Sequence, residues 1–154
     1  MNLRQLSILL ADDDPDDCVF FKQALGTLLL SIKLTAVHDG EQLMDQLTNA
    51  TNILPDILFL DLNMPRKNGF ECLSEIKQNE NLKDLPVIIF STSFEQEVVN
   101  QLYINGAHYF IRKPSEFSKF KKIILHALTL IVEENGLQPT KENFVITLQE
   151  NLST

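Results

Sequence analysis

The sequence contains no tryptophan, only two cysteines, and too few cations to offset its acids: 13 Lys and Arg stand against 21 Asp and Glu, a formal charge of -8. Each shortage removes a class of function. Binding nucleic acid through a basic surface needs clustered Lys and Arg, and this charge balance argues against it. Lys119, Lys121 and Lys122 are the one cationic concentration, and they read as a solvated helix face. Cys18 and Cys72 lie in different segments and fit neither a disulfide framework nor a metal spacing, so reduced thiols in a cytoplasmic protein are expected. No apolar run reaches membrane-spanning length, and the start, MNLRQLSILLADDD, has too short an apolar stretch for a signal peptide. His38, His108 and His126 are scattered over separate segments and form neither a triad nor a metal pattern.

What is present is enough for one domain with a substantial core: 154 residues, 44% hydrophobic and 22% charged. Short apolar runs alternate with longer amphipathic ones. Ser7–Ala11, Ile57–Leu60 and Val87–Phe90 read as strands buried on both faces; Ile32–Val37 and Tyr109–Ile111 complete a set of five. The helical stretches between and after them run from Asp16 to about Leu29, Glu41 to Ala50, Gly69 to about Asn79, Glu95 to Asn105 and Glu116 to Glu134, with Asp16 or Asp17 available to cap the first. Continuously apolar strands alternating with helices predict an α/β, doubly wound parallel sheet, with its ligand site at the carboxyl ends of the strands.

The ends of those strands are unusual. The first runs into LADDDPDD, five aspartates between positions 12 and 17, at the mouth of a buried strand. The third ends in Asp61, the fourth in Ser91-Thr92, and the fifth runs into Lys113-Pro114. In a parallel sheet these ends share one edge, so three carboxylates, a hydroxyl and an ammonium converge. Three carboxylates a few ångströms apart do not all stay ionised unless a cation offsets the repulsion. An open, all-oxygen site without His or Cys favours Mg2+, or Mn2+. A metal cup with a spare carboxylate, a hydroxyl and a lysine suits phosphoryl transfer to an aspartate. Asp14, Asp16 and Asp17 read as turn and cap residues instead.

The stretches SILLADDDPDD, PDILFLDLNMPRKNGFE, LPVIIFSTS and GAHYFIRKP, in this order and spacing, resemble the CheY-like receiver domains of two-component response regulators over roughly Leu6 to Glu134. The resemblance implies a flavodoxin-like sheet in the order 2-1-3-4-5, the order known for CheY itself and not deduced from this pattern. It implies that Asp61 is the phospho-acceptor, that Asp12, Asp13, Asp61 and the Asn63 carbonyl hold Mg2+, and that Ser91 and Lys113 contact the phosphoryl group. Ser91 and Phe110 would form the switch. The bond before Pro114 is expected to be cis, aiming Lys113 inward. Such a protein is a signalling acceptor that catalyses its own phosphorylation and dephosphorylation rather than a turnover enzyme. Its implied partners are a sensor histidine kinase or phosphotransfer protein, and an output protein. A homodimer through the fourth helix, fifth strand and fifth helix is a further implied contact. The connections Asn49–Pro55 and Lys77–Leu85 resemble those of stand-alone receivers paired with phytochrome-type kinases.

Three residues depart from the family's habit. Thr92 stands where a small residue is usual, Phe110 replaces the common switch tyrosine, and His108-Tyr109 is bulkier than usual on the face where outputs dock. Two rivals carry distinct signatures. A haloacid-dehalogenase-type phosphatase places a second Asp two residues past its nucleophile, where this chain has Asn63. A pseudoreceiver, an interaction module that is never phosphorylated, has no need of Asp12, Asp13, Asp61, Ser91 and Lys113 together.

Residues 1–134 are thus expected to form the receiver, and 135–154 a C-terminal extension acting as an extra strand or docking tail. In the extension Phe144, Ile146 and Leu148 alternate as if on one face. The last helix carries a core stripe of Phe117, Phe120, Ile124, Leu128 and Ile131, with Ile123 and Leu130 off it as exposed apolar residues or a partner surface. Too little chain follows that helix for a DNA-binding output domain, so a stand-alone receiver is expected.

Overall fold

The computed structural model describes residues 5–27 and 31–148. Strands and helices alternate as β1 (Leu6–Ala11), α1 (Pro15–Gly26), β2 (Ile32–Val37), α2 (Gly40–Thr48), β3 (Ile57–Leu60), α3 (Gly69–Gln78), β4 (Val87–Ser91), α4 (Gln96–Ile104), β5 (Tyr109–Arg112) and α5 (Phe117–Glu133). A 3-10 turn, Lys141–Asn143, then leads into β6 (Val145–Ile146). The strands are parallel in the order β2-β1-β3-β4-β5-β6. This is the expected doubly wound sheet with a minor sixth strand on the β5 edge.

Side-chain alternation divides the core into two layers. Leu9, Leu58, Leu60, Val87, Ile89 and Phe110 pack against α2, α3 and α4. Ile8, Leu10, Phe59, Ile88, Phe90, Tyr109 and Ile111 pack against α1 and α5. Neither face of the central strands meets water, which is why their sequence shows no polar alternation. On the second face Phe21, Phe90 and Phe120 meet edge to face with centroids 5.2 to 5.4 Å apart.

The helix starts follow local chemistry. Asp14 caps α1, its side chain accepting the Asp16 N–H at 2.9 Å, with Pro15 at the first position where no donor is needed. The cap therefore lies two residues before Asp16 and three before Asp17. Asp39 caps α2 by accepting from Gln42, and Asn68 with Glu71 forms a capping box on α3. Gly69 is required by close approach: a Cβ there would collide with the Asp61 carbonyl oxygen and lie 2.8 Å from the Leu62 Cα. α3 can thus begin directly under the end of β3. The expected end of α1 near Leu29 lies outside the described residues.

Three expectations are corrected. Ile123 is not a surface residue: it is 4% exposed in the α1/α5 layer, with Leu130 packed partly against it, because the buried stripe of α5 is wider than a single row. Phe144 and Ile146 do not share a face. Phe144 closes the 3-10 turn with helical dihedrals (φ -65, ψ -45) and enters the α2–α4 layer, whereas Ile146 and Leu148 join the α1/α5 layer. Extended alternation begins only at Val145. No peptide bond among the described residues is cis, so Lys113–Pro114 is trans.

Candidate functional site

The strand ends assemble the cluster through ladder bonds that continue one residue past each strand. Asp12 N–H donates to Val37 O at 3.0 Å, Asp61 N–H to Ala11 O at 2.9 Å, and Lys113 N–H to Ser91 O at 2.8 Å. These bonds fix the backbone under each side chain. Asp12, Asp61 and Ser91 are buried, and Asp13 is exposed at the rim. One carboxylate oxygen from each of Asp12, Asp13 and Asp61 lies within 4.8 Å of the others. Lys113 Nζ reaches Asp12 Oδ2 at 2.9 Å and Asp61 Oδ2 at 3.5 Å. The trans bond at Pro114 does not prevent this contact.

The other predicted residues are close by. Asn63 is exposed, and its N–H donates to Asp61 Oδ1 at 3.3 Å. Ser91 Oγ accepts from Ser93 N–H and lies 3.3 Å from Ser93 Oγ. Thr92 is exposed. Phe110 lies inward, 1% exposed, with Phe94 edge-on at 5.7 Å. Its backbone N–H donates to Phe144 O at 3.0 Å, so the extension touches Phe110 directly. His108 and Tyr109 are buried and do not form an open docking face.

Electrostatically the cluster is under tension. Burial drives the Asp12 and Asp61 carboxyls above the usual carboxylate range; the N–H of Asp14 and then Lys113 oppose this at Asp12, and Lys113 and then the N–H of Asn63 oppose it at Asp61. Burial also works to lower Lys113, but hydrogen bonding to Asp17 and the charges of Asp12 and Asp61 outweigh it and hold the ammonium above its ordinary value. One lysine thus neutralises only part of the acid. The all-oxygen donor set and the uncompensated negative charge fit a hard divalent cation.

Sequence reasoning missed Asp17. Its Oδ2 lies 2.7 Å from Lys113 Nζ, closer than either Asp12 or Asp61. The available signal was spacing: Asp14 as cap places Asp17 three residues on, on the same helix face. Cys72 is buried with its thiol pushed up to about 11 by burial, and burial likewise raises the half-buried Cys18 thiol, so both are disfavoured as thiolates.

Residues 8–125 match the response regulator receiver domain. Response regulator Rcp1 of Synechocystis sp. is 31% identical over 121 residues, covering 76% of this chain and 82% of Rcp1. The Mn2+-bound structure of Rcp1 superposes with a TM-score of 0.77 at 27% identity, over 94% of this chain and 99% of that one. The phosphorylated cyanobacterial phytochrome response regulator RcpA gives 0.76 at 28%, over 89% and 100%.

Proposed function

This chain belongs to the response regulator receiver family of two-component signalling, and from that premise we propose that it accepts a phosphoryl group on a carboxylate oxygen of Asp61. That oxygen attacks the phosphorus of a phosphohistidine on a sensor histidine kinase or phosphotransfer protein. The P–O bond forms as the P–N bond breaks, the imidazole leaves with the electron pair, and Asp61 becomes an acyl phosphate. Asp12, Asp13, Asp61 and the Asn63 carbonyl are the residues that would hold Mg2+ or Mn2+, which when bound supplies positive charge against the phosphoryl oxygens. Lys113 pairs with one phosphoryl oxygen and the Ser91 hydroxyl donates to another. Ser91 and Phe110 then bias a pre-existing equilibrium of a protein-binding face. The likeness to RcpA makes a phytochrome-type kinase the first donor to try.

The observation that supports this reading best is the convergence of three carboxylate oxygens within 4.8 Å beside a buried lysine. The test is intact mass after incubation with Mg2+ and acetyl phosphate. One phosphoryl increment is expected, absent without metal and absent in Asp61→Asn. No adduct, together with failure to bind beryllofluoride, would replace the reading with an interaction module that is never phosphorylated. Phosphate release at enzymatic turnover rates with no phosphorylated protein accumulating would point to a phosphatase.

A further inference from the structure

Lys113 sits among three carboxylates, and the nearest is not the proposed acceptor. The distances are 2.7 Å to Asp17, 2.9 Å to Asp12 and 3.5 Å to Asp61. Asp17 stands in the first turn of α1, held by the Asp14 cap, and its side chain is 14% exposed. It lies outside the trio whose oxygens suit a metal. Its Oδ2 is buried and, among the described residues, has no hydrogen-bond partner apart from this ion pair. Lys113 is therefore its counter-charge, and withdrawing the lysine would strand a buried carboxylate oxygen.

The lysine backbone is tied to β4, so only the ammonium can change partners. An ammonium has three donors, and here three acids share them. We propose that Asp17 is a positioning residue that holds Lys113 off Asp61 in the resting state and yields it when Asp61 carries a phosphoryl group. The added charge of the acyl phosphate draws the ammonium across, and the pull of Asp17 sets how far the equilibrium lies toward the resting arrangement. This rests on the assignment of Asp61 as acceptor and adds to it a residue that tunes occupancy. Asp17 touches neither the metal trio nor the reacting atoms.

The test is beryllofluoride affinity at saturating Mg2+ for wild type, Asp17→Asn, Lys113→Met and the double variant. NMR of the Lys113 13Cε and 15Nζ signals, assigned with Lys113→Arg, accompanies it. Asp17→Asn is expected to bind beryllofluoride on the order of fivefold more tightly, about what one redistributed hydrogen bond is worth. In the Lys113→Met background the same change is expected to have no effect. Without ligand, the Lys113 signals of Asp17→Asn should already be displaced toward the positions they take in the wild-type complex, a shift that a merely structural role would not produce. Weaker binding, an equal effect in both backgrounds, or Lys113 signals unmoved by the substitution would each overturn the proposal. Asp17→Ser provides the same reading if the Asn variant does not fold. A wild-type protein that binds no beryllofluoride would overturn the Asp61 assignment itself, and this proposal with it, an outcome distinct from all the others.

Discussion

The carboxyl edge of the sheet and the outer edge of β5 are built on opposite terms. At the first, acids crowd one lysine, and burial holds two carboxyls above their usual range. At the second, every group named here finds a neutral partner. His108 Nδ1 accepts from Val87 N–H at 3.2 Å, which leaves Nε2–H to donate to Gly136 O at 2.9 Å. Gln138 donates to the carbonyls of Tyr103 and Ala107 at 2.8 Å, Tyr103 Oη donates to Pro139 O at 2.9 Å, and the Tyr103 ring meets Phe144 edge-on at 5.2 Å. Charge tension suits a site awaiting a ligand; full satisfaction suits a segment that stays docked.

If the two regions are energetically separate, removing the Phe144 ring should unfold without disarming. Phe144→Ala is expected to lower stability by about 3–5 kcal/mol, read by urea denaturation, while acetyl phosphate still labels the folded fraction. Loss of labelling in folded protein would show that the extension supports the site through Phe110.

A pH titration should divide the regions next. The His108 imidazole is pushed down to about 4, first by burial and then by the Lys77 charge. Its unfolded value is near 6.5, so between pH 4 and 6.5 the unfolded chain binds the extra proton. Stability contributed by the neutral ring is complete above 6.5 and falls as pH drops towards 4, by up to about 3 kcal/mol. His108→Gln should flatten that slope. An unchanged slope would rule out His108 as its source, since the raised carboxyls of Asp12 and Asp61 act with the opposite sign, taking up protons in the native state and favouring it as pH falls.

Metal is expected to act on the other edge alone. Mg2+ at a hundred times its Kd should add about 2.7 kcal/mol to the stability of the native state, visible as a rise in Tm. The smallest effect is expected from Asp13→Asn without metal, within about 0.5 kcal/mol for an exposed side chain. The same variant should abolish most of the Mg2+ shift. A large loss in apo stability would mean that Asp13 is structural.

How much was legible in the sequence follows the same division. The strand run Ile57–Leu60 stands where its apolar pattern puts it, because a strand buried on both faces leaves little choice of register; Ile32–Val37, half-buried at the sheet edge, was marked by its β-branched run ending at Asp39-Gly40. That Asp12, Asp13, Asp61 and Lys113 come together was legible because parallel topology brings strand ends to one edge. Asp17 was hidden because a capping aspartate and a lysine's partner look alike in sequence. Phe144 was assigned to the wrong face because one turn of 3-10 backbone shifts the alternation. The extension's contacts use carbonyls and a neutral imidazole, groups that any loop possesses, so no pattern announced them.

The two-residue β6 has a last consequence, for association rather than signalling. A β5 left at the end of the sheet would offer a row of unpaired amides and carbonyls to any extended chain. Here Phe110 and Ile111 are already paired to Val145 and Ile146. The edge that replaces them is two residues long, too short to template a further strand. At the opposite end β2 exposes Lys33 along its length, and a charge there discourages addition. The sheet is thus closed to growth at one end by shortness and at the other by charge.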